Sequence, residues 1–90
     1  MSETLHVIIQ SPVAKVWEGK VKALSAENSE GMFDILPAHA RFMSLLNPSP
    51  VTLELDNAEA RSFTFKDALL YVDEDIATIY VQEPLQEISL

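Results

Sequence analysis

Few residues in this chain could carry chemistry. His39 follows a proline turn in Leu36-Pro37-Ala38-His39-Ala40, where an imidazole could serve as ligand, acid or base. No Ser, Cys or carboxylate beside it completes a nucleophilic triad. His6 is the only other histidine, so a metal site on His6 and His39 would take most of its ligands from Asp and Glu. A small metal-dependent β-sandwich enzyme built that way is the alternative the residues leave open. Asp73-Glu74-Asp75 lacks the ligand spacing and the glycine of a calcium loop and reads as a solvated turn. Without cysteine there is no disulfide, thiolate nucleophile or thiolate metal site, and two glycines cannot build a phosphate-cradling loop. The residue types therefore imply no cofactor, and a lone loop histidine reads first as structural.

The elements that position these groups must come from a single small domain, because the chain has 90 residues. Folding at this length hides only about 60–65% of the unfolded surface. A hydrophobic content of 48% is enough to fill one core, which excludes intrinsic disorder. Six Lys and Arg against fourteen Asp and Glu leave a net charge of −8, so nucleic acid and anionic membrane surfaces would repel the chain. A basic protein partner suits it. Met1-Ser2-Glu3-Thr4 has neither the basic stretch nor the apolar segment of a secretory signal, and no apolar run approaches the ~20 residues that span a bilayer. A soluble domain is expected, with any membrane association made through another protein.

Leu5, Val7 and Ile9 alternate with period two, and Ser11-Pro12 ends that strand. Val13 to Glu18 reads as a second extended piece, with Gly19 allowing a reversal or bulge. In the next strand Val21, Ala23 and Ser25 are expected on one face and the lysines on the other. A polar turn over Glu27 to Gly31 leads into Met32–Leu36. Ala38 to Leu46 contains good helix formers, and Asn47-Pro48-Ser49-Pro50 ends it. Further strands are expected at Val51–Leu55, Arg61–Phe65, Leu69–Val72 and Ile76–Val81, separated by turns at Asp56–Glu59 and Asp73–Asp75. Short strands at this spacing predict an all-β fold, an antiparallel β-sandwich of about eight to ten strands. Its core is expected to include Phe33, Ile35, Phe63, Phe65, Val72, Ile79 and Val81, with Trp17 in the core or at its edge. Residues 1–84 are read as the sandwich and 85–90 as a C-terminal tail.

The stretches Val16-Trp17-Glu18-Gly19-Lys20-Val21, Ser29 to Ala40 (SEGMFDILPAHA) and Leu45-Leu46-Asn47-Pro48 resemble the N-terminal domain of the epsilon subunit of F-type ATP synthases, called delta in mitochondria. The resemblance is ungapped from about Leu5 to Val51 and continues more weakly to about Glu83. Ala38, Asp34 and Ser49 stand where the family has Gly, Arg41 where it has Pro, and Lys66-Asp67-Ala68 where it has Ser-Gly-Gly. Each lost glycine removes the residue that accepts positive φ most cheaply.

The resemblance implies a non-catalytic subunit of the central stalk, linking the gamma subunit to the c-ring and coupling ion translocation to ATP synthesis. The domain would lie on the cytoplasmic side, peripheral to the inner (plasma) membrane through the complex. Its contact residues map onto Ser11, Glu30, Gly31, Met32, His39, Ala40 and Ser44. Ala38, Arg41 and Phe42 also map there, in a locally changed pattern. The acidic tip at Glu27 and Glu30 would meet basic loops of the ring. The resemblance further implies loop and strand, rather than helix, over Ala38 to Leu46. It implies no nucleic-acid partner, small-molecule substrate, membrane insertion or ATP binding. A stand-alone protein-interaction module is the other alternative.

Overall fold

Leu5, Val7 and Ile9 bury one face of a strand while His6 and Ile8 stay half exposed, which is the alternation a strand with one face on a core requires. This strand, β1 (Leu5–Gln10), opens a computed structural model that describes residues 4–55, 59–82 and 86–88. The chain continues through β2 (Lys15–Val21), β3 (Ala23–Asn28), β4 (Gly31–Ile35), β5 (Phe42–Leu46), β6 (Val51–Glu54), β7 (Ala60–Thr64), β8 (Ala68–Asp73), β9 (Ile76–Val81) and β10 (Gln86–Ile88). Two five-stranded sheets result, in the orders β2-β1-β9-β8-β5 and β10-β7-β6-β3-β4. Among the described residues pairing is antiparallel throughout except between β1 and β9, which run parallel and bring the first and the ninth strand together in one sheet. The expected sandwich is therefore present, with one parallel pair that local patterning does not reveal. Gln86–Ile88, read from the sequence as tail, add a strand to β7. The expected turn at Asp56–Glu59 falls, for residues 56–58, outside the described residues.

The chain changes sheets at Lys22, whose N–H donates to the Glu54 carbonyl at 2.7 Å. Val21 enters the core from one sheet and Leu24 and Ala26 from the other, while Ala23 and Ser25 are only half-buried. The expectation that Val21, Ala23 and Ser25 share a face is thus corrected. A corner of one residue shifts the alternation by one position, and every side chain after it changes face.

Gly19 is likewise not a reversal. It sits within β2 opposite Val7, and the only register irregularity of this pair lies between Ile9 and Gln10. Its lack of a side chain matters for another reason: a Cβ there would lie 2.7 Å from the Trp17 ring. That ring folds along the strand over Gly19 and meets Phe63 of the facing sheet at a centroid distance of 6.0 Å. Gly19→Ala is expected to cost about 1–3 kcal/mol by forcing the indole outward. Urea denaturation checks this, and unchanged stability would mean that the indole has room to move.

Ile35, Phe63, Phe65, Val72, Ile79 and Val81 are buried as expected. Phe33 departs from that group. It lies half-buried on β4, an edge strand, and packs against Phe42 of the other sheet with centroids 5.4 Å apart. Residues 38–46 form a loop followed by β5, as the resemblance implies and against their helical propensity. Burial decides this contest. β5 pairs along its whole length with β8 and places Leu46 in the core, gains that a short isolated helix would lack.

Candidate partner interface

Edge strands β4 and β5 lie on the same side of the sandwich, and most of the residues singled out from the sequence gather there. The β3–β4 hairpin turns at Ser29-Glu30, with the Asn28 side chain accepting the Glu30 N–H at 2.9 Å. Gly31 follows at φ +119°, a conformation open to glycine and strained for other residues. Met32 is 68% exposed at the start of β4. From this tip a groove of about 210 Å³ runs along β4, lined by Glu30, Met32, Phe33, Asp34, His39 and Phe42.

His39 stands edge-on to Phe42 at 5.6 Å, extending the aromatic contact of Phe42 with Phe33. Its Nδ1 lies 2.7 Å from the Ala40 carbonyl oxygen, which can only accept, so Nδ1 is the donor of this bond. Ser44 on β5 accepts from Asn28 Nδ2 at 3.1 Å and donates to the Leu45 carbonyl. Its hydroxyl is therefore committed to tying β5 to the hairpin. Asn47 strengthens the same tie, with its N–H on the Glu27 carbonyl (2.8 Å) and its side chain on the Asn28 carbonyl (3.0 Å). Sequence reasoning did not single out Asn28 or Asn47. The signal was an Asn directly before a Ser-Glu-Gly turn, which marks a side chain poised to cap it.

The loop between β4 and β5 is held from outside. Ala38 adopts φ +67°, a conformation that glycine accepts most cheaply, and donates its N–H to Asp75 Oδ1 at 2.5 Å. Arg41 Nε reaches Asp73 Oδ1 at 3.4 Å, and the His39 N–H bonds the Leu36 carbonyl at 3.2 Å. Asp73 and Asp75 belong to the β8–β9 hairpin, whose two turn residues Glu74 and Asp75 have φ of +50° and +64°. The acidic turn read as merely solvated thus grips the loop that presents His39 and Ala40.

Ser11 lies elsewhere. Its Oγ accepts the N–H groups of Val13 and Ala14, shaping the β1–β2 turn. It lines a second groove of about 390 Å³ together with Pro12, Leu45, Asp67, Leu69 and Tyr80. β5 runs parallel to β1 through the intervening β9 and β8, so Ser11, the end of β5 and the Glu30 tip share one end of the sandwich, while His39 is at the other. Leu45, 75% exposed on β5, belongs to the lining of this second groove.

The two histidines are not brought together. His6 sits on β1, three strand spacings or about 14 Å from β5, and pairs with Glu18, which also binds Lys15 Nζ at 2.6 Å. Lys15, and after it His6, hold the Glu18 carboxyl below its ordinary range. Among the described residues no three His, Asp or Glu side chains are grouped to hold a metal ion.

Two grooves thus flank the β5 edge of an all-β sandwich, beside side chains committed to internal hydrogen bonds. The sequence profile of the ATP synthase Delta/Epsilon chain, beta-sandwich domain, matches residues 4–86, and the chain belongs to this family. It is 32% identical over 80 residues to the ATP synthase epsilon chain of Nitratiruptor sp., covering 89% of this chain and 62% of that relative. The chain spans about half to two thirds of the length of the curated relatives it matches. Its fold superposes with a TM-score of 0.88 on a chain of the Euglena gracilis mitochondrial ATP synthase structure of OSCP, F1 and c-ring, at 13% identity over 97% of this chain and 55% of that one. A chain of the Tetrahymena thermophila mitochondrial ATP synthase central stalk and c-ring structure gives a TM-score of 0.72 at 17% identity, over 91% and 65% of the two chains. At these identities the two superpositions establish the fold alone.

Proposed function

We propose that this domain is a non-catalytic part of the central stalk of an F-type ATP synthase, joining the gamma subunit to the c-ring so that ion translocation turns the stalk and drives ATP synthesis. It would act on the cytoplasmic side, peripheral to the inner (plasma) membrane. The observation that carries the reading is the gathering of Glu30, Gly31, Met32, His39, Ala40 and Ser44 along the β4/β5 side, in a chain of this family. Ser11 joins them only through the second groove, by way of Leu45. Two packed sheets supply the stiffness that torque transmission demands, and no side chain need act as a nucleophile. Glu30 is exposed at a hairpin tip, where its charge would attract a basic loop at little cost to the fold.

Glu30→Lys and His39→Ala are expected to leave the unfolding free energy within about ±0.5 kcal/mol, since both side chains are exposed. Each should weaken association with gamma subunit and c-ring by about tenfold, a loss of roughly 1.4 kcal/mol. Melting curves followed by reconstitution with the stalk and ring measure both quantities. If both variants assemble and couple like the unaltered protein, the interface assignment is wrong.

A further inference from the structure

We infer that Asp75 is a positioning residue: its carboxylate, reaching across from the β8–β9 hairpin, sets the conformation of the loop that presents His39 and Ala40. The inference about loop shape stands on the geometry alone; its consequence for binding rests on the stalk assignment proposed above.

Three observations converge. Ala38 has φ +67°, an arrangement in which an L side chain crowds the backbone, and nothing in an alanine side chain offsets that. The offset comes through its N–H, which donates to the Asp75 carboxylate oxygen Oδ1 in a charge-assisted bond. The second observation is that Asp75 itself sits at positive φ in the turn. A two-residue hairpin turn with positive φ at both positions favours Asn-Gly, yet here it holds Glu74 and Asp75 at +50° and +64°. Glycine would suit Asp75's backbone at least as well but would leave the Ala38 N–H without this carboxylate. The third is that Arg41, the other changed position of the loop, is bound by Asp73 of the same hairpin at 3.4 Å. Two carboxylates of the β8–β9 hairpin thus hold the loop from outside it.

The test compares Asp75→Gly with Asp75→Asn. Glycine relaxes the turn and removes the carboxylate, while the backbone bond from the His6 N–H to the Asp75 carbonyl can persist. Asparagine tolerates positive φ and keeps an oxygen acceptor for the Ala38 N–H. In the free protein, NMR of Asp75→Gly should show Ala38, His39 and Ala40 amide shifts moving and Ala38 exchange accelerating about tenfold or more, with β8 and β9 amides away from the turn unchanged. Asp75→Asn should retain most of the original behaviour. Adding Ala38→Gly to Asp75→Gly should restore the loop shifts, because glycine accepts the positive φ unaided. Unmoved Ala38 to Ala40 amides in Asp75→Gly would overturn the inference, as would equal disturbance in Asp75→Asn.

Binding is read separately. With gamma subunit and c-ring, Asp75→Gly should bind about tenfold more weakly and the double variant close to normally. If His39→Ala weakens binding while Asp75→Gly frees the loop without weakening it, the positioning role is overturned and the interface assignment stands. If neither variant affects binding, the interface assignment fails, and the amide shifts alone decide whether Asp75 shapes the loop.

Discussion

Phe63→Ala is expected to lower the unfolding free energy by about 3–5 kcal/mol, the largest single-site effect on stability argued here. Phe63 is 3% exposed on β7, in the sheet facing β2, and its ring meets that of Trp17. Truncation leaves a ring-sized void, and it also removes the surface on which the indole rests where it covers Gly19. Equilibrium urea unfolding measures the change, and a loss below about 1 kcal/mol would mean that Trp17 collapses into the space. Phe33 offers a contrast. It was read from the sequence as core, but half exposure on an edge strand predicts a smaller loss for Phe33→Ala, about 1–3 kcal/mol, because less surface returns to water and the site is open to relaxation.

That contrast shows what sequence patterning captured. Leu5, Val7 and Ile9, or Ile79 and Val81, alternate over enough residues for period two to identify the buried face, and the structure buries all five. Alternation says nothing of where a strand sits in its sheet. Phe33 and Phe65 therefore looked alike, although one lies on the β4 edge and the other is buried beside β7. It is equally blind to a corner. The phase shift at Lys22 moves Leu24 inward and Ser25 outward, at a corner whose N–H bonds Glu54, thirty-two positions along the chain. The parallel β1–β9 pair is legible only as a long-range pairing, for which no local residue type provides a marker.

The candidate interface was legible through family likeness rather than chemistry. Glu30, Met32 and His39 follow from matched motifs, and the structure lays them along one groove. The supports of that groove were hidden for a physical reason. Asp75 acts on Ala38 from thirty-seven positions away, and the Asn28 amide serves both as the hairpin cap and as a donor to Ser44 sixteen positions on. Side chains that brace a loop across sheets have no spacing rule, so only the folded register brings them into view.

Met32→Asp is expected to produce the largest loss of association, about 2–3 kcal/mol or roughly 30–150-fold in affinity for the gamma subunit and c-ring. Met32 is 68% exposed beside the groove, and covering most of that thioether side chain in a contact contributes about 1–2 kcal/mol. A carboxylate there loses that gain and must also be stripped of water without a partner. The fold should lose less than about 1 kcal/mol, chiefly because Asp would stand directly across from Glu27 on β3. Met32→Ser, which adds no charge, should bind with an intermediate affinity and an unaltered melting point, separating the lost apolar contact from like-charge effects. Leu45→Asp supplies the opposing control, since Leu45 is 75% exposed in the second groove, next to Ser11. Weakened binding by Met32→Asp with little change from Leu45→Asp places the contact along β4 and the His39 loop. The reverse result would move it to the Ser11 groove on the far side of β5, and the assignment of Glu30, Met32 and His39 would be abandoned.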